Sequence, residues 1–219
     1  AGVSGRIDAA AAEFYAELRK RGIEVLDLQP EFAGAAKPGE FYCRQDTHWS
    51  GAAAERAAAR IAERVRRSAW YDGLSRETFD SESRAVTIDG DLRSLLGDAD
   101  LPEESVTLRF VGRRSGGRLA PVPPDRQSPV LLLADSHGLV FHAGGDMHAR
   151  GAGLVDQLAL ELGFALDLAA VRGSGATPAR VTLARRQNGL RGKRLVIWAF
   201  SAREFTESSQ GWRNVPVIR

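Results

Sequence analysis

Cysteine is nearly missing from this 219-residue chain: Cys43 stands alone, so no intramolecular disulfide can form and no redox compartment can be read from it. No apolar run approaches the ~20 residues that a membrane span needs. No internal repeat and no coiled-coil heptads are present. Neither sign of charge dominates, since Lys and Arg total 30 against 28 for Asp and Glu. The arginines crowd 60–67, 109–118 and 180–194, but acidic residues are interleaved elsewhere, as on solvated faces. That balance permits a polyanionic ligand, whereas nucleic acid calls for a more concentrated basic face. The first residues lack a starting Met, a basic n-region and an apolar h-region, so no signal peptide is visible. The chain opens directly in an amphipathic pattern, as a trimmed domain would, any export signal or anchor lying outside it.

What is present is a soluble composition, 43% hydrophobic and 26% charged, in a length that suits one α/β domain over residues 1–219. Ile7 to Arg21 reads as a helix with Ala10, Phe14, Ala16 and Leu18 toward its apolar face and Gly22 as its stop. Residues 23–28 (Ile-Glu-Val-Leu-Asp-Leu) alternate like a strand. Ser50 suits the N-cap of a helix running to about Arg67, with Ala54, Ala58, Ile61 and Val65 at helical spacing. The stretch 70–125 reads as an insertion or excursion, with short strands at Arg84–Ile88 and Val106–Val111 and no functional motif.

From Pro129 the pattern becomes regular. Val130–Ala134 is a continuous apolar run, the mark of a strand covered on both faces. A helix over Gly153–Leu162, a strand over Phe164–Val171, a helix over Pro178–Gln187 and a strand over Leu195–Phe200 follow. This order predicts a mostly parallel sheet with helices on both faces.

In open α/β sheets ligands bind beyond the carboxyl ends of the strands. The first such end carries Asp135-Ser136, the second Arg172-Gly173-Ser174-Gly175 and the third Ser201-Ala202-Arg203-Glu204. A serine on a tight turn can attack a carbonyl while neighbouring N–H groups stabilise the oxyanion. It needs a base, and His48, oriented by Asp46 in the segment Asp46-Thr47-His48-Trp49-Ser50, is the best candidate. Gly173 and Ser174 would let the backbone approach the acyl group, and Arg172 and Arg203 would hold an anionic oxygen or a sugar hydroxyl. Taken singly, each element has a plainer reading: a serine at a strand end is a turn residue, Gly-Ser-Gly a loop, Asp46 a helix cap and Trp49 core packing. Their joint occurrence on one side of a parallel sheet favours acyl transfer.

Ala134-x-Ser136-x-Gly138 nearly matches the nucleophile elbow of the α/β-hydrolases, but that fold needs a histidine late in the chain. The four histidines are His48, His137, His142 and His148, which disfavours it. The loop holding Asp135, His137, His142, Asp146 and His148 leaves metal binding open, although its spacing fits no standard zinc pattern. A more modest reading has its histidines shaping a groove beside Ser136.

The order Asp46-Thr47-His48-Trp49 followed by Ala134-Asp135-Ser136 resembles the SGNH-hydrolase-like domains of the AlgJ/AlgX alginate O-acetyltransferase family. In that family an Asp-x-His-Trp segment precedes a Gly-Asp-Ser segment, the reverse of ordinary SGNH esterases. The likeness continues through residues 153–162 and 192–205, and covers about 23–67 and 128–206. It implies a three-layer, flavodoxin-like sheet with permuted motif order. It also implies a periplasmic or cell-surface domain that moves an acetyl group onto an exopolysaccharide hydroxyl through an acetyl-serine. Ser136 would be nucleophile, His48 base and Asp46 its orienter, with no cofactor and no metal. The acceptor would be a polysaccharide, anionic in the alginate case. The acetyl donor would come from a membrane-bound O-acyltransferase or another partner protein. Two departures stand out: Ala134 replaces the usual Gly, and the Asn of typical SGNH enzymes is absent, with Arg203-Glu204 in its neighbourhood. An esterase using the same residues, and an inactive polysaccharide-binding domain, remain as alternatives.

Overall fold

The computed structural model describes residues 8–34, 37, 40–97, 100–173, 175–207 and 211–218. Helix α1 spans Ala9–Lys20, and Gly22, at φ +76°, ends it in the left-handed conformation expected of a helix stop. Ile7, placed in this helix from sequence, lies outside the described residues. The inward face is Ala11, Phe14, Tyr15 and Leu18, while Ala10 and Ala16 point to solvent. With Phe14 and Tyr15 both on this face, the aromatic pair packs against Phe205 at ring distances of 5.4 and 5.7 Å.

The strand expected at 23–28 does not form. The segment is irregular, and Ile23 is half exposed. Burial along the segment does not alternate, with 23 and 24 exposed and 25–28 half-buried, and a strand also needs a partner for its backbone groups; here the Val25 carbonyl is met by the Arg19 guanidinium at 3.3 Å instead. Helix α2 (Gln29–Ala33) follows, then α3 (Gly51–Val65), whose N-cap Ser50 accepts from the Ala53 N–H at 3.2 Å as its position predicts. The buried face of α3 is Ala53, Ala54, Ala57, Ala58, Ala62 and Val65. Side chains this small let a second layer approach closely.

That second layer comes from the stretch without a motif. Strands β1 (Asp80–Ile88), β2 (Glu104–Ser115) and β3 (Arg118–Pro121) form an antiparallel meander, with helix α4 (Asp91–Leu96) between β1 and β2. The register pairs Val86 with Val106 and Arg113 with Ala120. Val106, Leu108 and Phe110 alternate inward on β2 and join the main hydrophobic core. A Cβ on Gly51 would lie 2.8 Å from Leu108 Cδ2 and 2.9 Å from the Thr107 carbonyl, so the start of α3 can approach β2 only as glycine.

Strands β4 (Val130–Ala134), β5 (Asp167–Ala170) and β6 (Leu195–Ala199) form a parallel sheet in the order β5-β4-β6. Central β4 is buried throughout. Val130, Leu132 and Ala134 face the main core, which also holds Leu154, Leu158 and Leu162 of α5 (Leu154–Leu162). Leu131 and Leu133 face the other way, onto Ala169 of β5 and Ala179 and Leu183 of α6 (Ala176–Arg185). A short helix α7 (Glu204–Glu207) follows β6. The expected α/β arrangement with helices on both faces is thus present around a three-stranded parallel sheet. The expectation of a mostly parallel sheet is not met, because the equally large second sheet is antiparallel. Strands β2 and β3 are joined by the two-residue turn Gly116-Gly117, which pairs them antiparallel by geometry, whereas the longer link from β1 to β2 carries α4 and returns the chain antiparallel without crossing the sheet. Among the described residues no helix is long and apolar enough to cross a membrane.

Candidate functional site

The segment 44–48 is a tight excursion closed at its base by Cys43 N–H to the His48 carbonyl (3.2 Å) and Ser50 N–H to the Phe41 carbonyl (3.0 Å). Its backbone donors are met by carboxylates. Glu104 accepts from the N–H groups of Arg44 (2.8 Å) and Gln45 (2.9 Å), Asp91 from Thr47 (2.7 Å), and Asp46 from His48 (2.9 Å). Glu104 opens β2 and Asp91 opens α4, so the segment assigned no functional role from sequence builds the cradle of the histidine loop. Gly90 is the point of closest approach: a Cβ there would sit 1.9 Å from the Gln45 carbonyl oxygen. A Gly-Asp pair just after a strand was the available signal, but it has no meaning until the loop it touches is known.

Within this cradle the Asp46 carboxylate is buried and fully engaged. Oδ1 meets His48 Nδ1 at 2.6 Å, and Oδ2 accepts from the Asp91 N–H at 3.2 Å and meets His148 Nε2 at 2.9 Å. Burial works to raise the Asp46 pKa. The hydrogen bonds from His148 and His48, with those of the His48 and Asp91 N–H groups, outweigh it and hold the pKa well below the ordinary carboxylate value. An ionised Asp46 on Nδ1 leaves His48 Nε2 as the basic nitrogen, and that nitrogen bonds to none of the described residues.

Ser136 lies at the carboxyl end of β4, where the chain turns through a single 3₁₀ turn, Ser136–Gly138. The turn is tied from both sides by Asp135. Its Oδ1 accepts from the His137 N–H (2.9 Å) and its Oδ2 from the Ser201 N–H (2.7 Å) at the end of β6. Burial pushes the Asp135 pKa up, but the His137 ring and these backbone donors bring it net below its usual value. Gly138 is required by Ala134, since a Cβ at 138 would fall 2.4 Å from the Ala134 Cβ. The alanine that replaces the usual glycine is therefore accommodated by a glycine four residues on.

The structure brings the two motifs together. The His48 ring centroid lies 5.2 Å from that of His137, the residue after Ser136, and the Trp49 ring meets His137 edge-on at 5.4 Å. Ser136 is buried, and neither its Oγ nor its N–H bonds to a described residue. The serine hydroxyl and His48 Nε2 are not hydrogen bonded to each other here; such contacts commonly tighten only when substrate is bound.

The other sequence-derived positions fall around this pair. Arg172 is exposed after β5 and forms a two-pronged ion pair with Asp146, at 2.7 and 2.8 Å. Gly173 follows it at φ +80° with open space beside it, and Ser174 lies outside the described residues. Arg203 follows β6, its N–H donating to Ser201 Oγ at 3.3 Å. Neighbouring Glu204 is buried and accepts from the Ala176 N–H (3.1 Å) at the start of α6, a favourable place for a carboxylate. The loop considered for metal binding does not converge on one point. His137 goes to Asp135, His142 to Asp156 (2.9 Å), Asp146 to Arg172, and His148 to Asp46. Asp156, pushed up in pKa by its burial, also accepts from the Gly153 N–H and so serves the start of α5. Among the described residues the one cluster with ligand spacing is Asp46, His48 and Asp91, and within it Asp46 and His48 Nδ1 already pair with each other while Asp91 Oδ1 accepts from the Thr47 N–H.

His148 went unrecognised as part of the Asp46 site, and its backbone singles it out. It sits at φ +67° and ψ −53°, and the Ala149 N–H donates to the Met147 carbonyl across it (2.8 Å). This is a γ-turn of the rare positive-φ kind, costing about 1–3 kcal/mol for a non-glycine residue.

The profile described as "SGNH hydrolase-like domain, acetyltransferase AlgX" matches residues 3–202. Among curated proteins, the probable alginate O-acetylase AlgJ of Pseudomonas putida is 30% identical over 84 residues, 38% of this chain and 22% of that protein. Among solved structures, Pseudomonas aeruginosa AlgX aligns over 88% of this chain and 43% of its own, with a TM-score of 0.64 at 18% identity. The O-acetyltransferase domain of P. putida AlgJ aligns over 91% and 66%, with a TM-score of 0.64 at 21% identity. The chain thus spans under a quarter of the curated relative and under half of the AlgX chain. With its fold shared by both structures and nearly its whole length matched by the profile, this chain belongs to the family of SGNH hydrolase-like domains of the AlgX acetyltransferase type.

Proposed function

We propose that this domain is an O-acetyltransferase that moves an acetyl group onto an exopolysaccharide hydroxyl through an acetyl-Ser136 intermediate. The observation that carries the reading is the buried Asp46–His48 contact of 2.6 Å, set against the turn that presents an unengaged Ser136. His48 Nε2 takes the Ser136 proton as Oγ attacks the acetyl carbonyl, and the resulting imidazolium returns that proton to the departing donor group. In the second half His48 deprotonates a sugar hydroxyl, whose oxygen attacks the acetyl carbon, and Ser136 Oγ leaves and is reprotonated. Asp46, kept ionised by its donors, stabilises the imidazolium in both halves. The free Ser136 N–H supplies one oxyanion donor, with Gly173 and Ser174 at the neighbouring strand end as the further contributors and Arg172 and Arg203 toward the acceptor. Belonging to a family named for acetyltransferase AlgX, and matching in part a probable alginate O-acetylase, supports acetyl transfer to a polysaccharide such as alginate. A periplasmic or cell-surface location and a membrane-bound acyltransferase as donor partner complete the proposal.

Rapid-quench mass analysis with p-nitrophenyl acetate tests it. A nitrophenol burst with a transient gain of one acetyl group, lost in Ser136→Ala, is expected, followed by faster turnover when oligosaccharide acceptors are added. Acylation with water as sole acceptor would make the domain an esterase, and no adduct in either protein would sink the acyl-transfer reading.

A further inference from the structure

The loop 143–150 is closed by backbone contacts that do not involve the His148 side chain. Phe141 N–H donates to the Met147 carbonyl (2.9 Å), Gly144 N–H to the Ala149 carbonyl (2.8 Å), and Ala143 bridges Arg150. The imidazole is therefore not needed to hold the turn together. Yet the turn keeps a histidine at a positive φ where glycine would rest without strain, as Gly144 and Gly145 do at +72° and +61° nearby. The ring that this geometry projects is partly buried and reaches a buried carboxylate 102 residues away in sequence. A ring nitrogen against an ionised carboxylate must carry the proton, so His148 is the Nε2–H donor.

Building on the acyl-transfer reading above, we propose that His148 is a positioning residue of the site. By donating to Asp46 Oδ2 it fixes the plane of the carboxylate, so that Oδ1 stays on His48 Nδ1 and the His48 ring keeps one orientation, with Nε2 left as its basic nitrogen. Asp46 thereby lies between two imidazoles, one that exchanges protons with the serine and one that holds the carboxylate. Without His148 the buried Oδ2 retains only the long 3.2 Å contact with the Asp91 N–H. The carboxylate would then be free to turn and share its oxygens differently. The Arg172–Asp146 pair, two residues from His148, anchors the outer side of the same turn.

Two variants test this in the intact chain. His148→Gly removes the imidazole and relaxes the backbone, so it keeps the fold; His148→Gln restores an amide N–H near the Nε2 position. With p-nitrophenyl acetate, the acylation rate constant should fall about 10–100-fold in His148→Gly, the size typical of partners that orient a reacting imidazole, with KM little changed. His148→Gln should recover most of it. The low-field His48 Nδ1–H proton resonance, assigned by its absence from His48→Ala, should move or broaden in His148→Gly and return in His148→Gln. A purely structural residue would leave that resonance in place. Wild-type acylation in His148→Gly overturns the proposal, and so does a lost rate with the His48 resonance unmoved. If the wild-type protein itself forms no acyl-serine, the acyl-transfer reading fails separately, and the resonance alone decides what His148 does.

Discussion

Asp46 carries more of the site than any other single residue. Its oxygens accept from two imidazoles and two backbone N–H groups, and it is almost wholly buried. Removing the charge while keeping the shape, as in Asp46→Asn, lets an amide N–H face His48 Nδ1 and selects the wrong tautomer. The acylation rate should fall by on the order of 10³–10⁴-fold with little change in KM, measured by the p-nitrophenyl acetate burst. The same carboxylate sets an acid limb of stability. Its folded pKa is depressed, so the folded state binds the Asp46 proton less readily than the unfolded chain, where the pKa is about 3.9. The contribution is complete above that unfolded value and is lost as pH falls below it. Urea midpoints should therefore drop between about pH 4 and pH 2 more steeply in the wild type than in Asp46→Asn. Parallel curves would mean that the Asp46 contacts are not maintained in solution.

At the scale of elements, the histidine loop depends on the turn from β1 into α4. Leu92 and Arg93 donate to the Gln45 carbonyl at 3.0 and 3.2 Å, and Gly90 lets the two backbones meet. A Gly90→Ala side chain would enter that contact at 1.9 Å from backbone rather than from a movable side chain. Overpacking of this kind costs about 1–3 kcal/mol, and here it should also displace Asp91 from Asp46 and slow acylation. A thermal melt beside the burst assay would show both losses together; a slowed burst at unchanged stability would place Gly90 in function alone. These contacts also mark the limit of what was legible in sequence. Local signals gave the element types: the apolar run of β4 and the Ser50 cap formed as patterned, α5 and α6 formed close to their expected places, and the strands at 84–88 and 106–111 formed within longer ones, Asp80–Ile88 and Glu104–Ser115. The pairing of Asp46 with His48 could be read because they stand two positions apart, with only Thr47 between them. The contacts of Asp46 with Asp91 and with His148 span 45 and 102 residues, and no period or spacing encodes such a meeting. The alternation at 23–28 misled for the converse reason, since local pattern cannot say whether a partner strand will be present.

For the molecule as a whole, the question is whether the meander over 80–121 folds with the rest or as a separate excursion. Its inward residues Val106, Leu108 and Phe110 share one apolar cluster with α3, α5 and β4. Polar ties reinforce the seam: Gln157 of α5, fully buried, donates to the Arg109 carbonyl of β2 at 2.7 Å and accepts from the Arg109 side chain at 2.8 Å. A core continuous across both sheets implies one cooperative unit, because neither sheet can lose its cover without exposing the other. Far-UV dichroism and tryptophan fluorescence should then report a single coincident urea transition. Leu108→Ala should shift that transition as a whole by about 2–5 kcal/mol, the cost of an unfilled cavity at a fully buried leucine. It should weaken acylation at temperatures where the variant begins to unfold and leave it intact below them, since Leu108 touches no reacting atom. Two separated transitions, with only the first moved by Leu108→Ala, would instead show that the meander is an independently folding layer. The cradle around Asp46 could then open while the parallel sheet carrying Ser136 stays folded, and acylation would be lost at the first transition rather than with global unfolding.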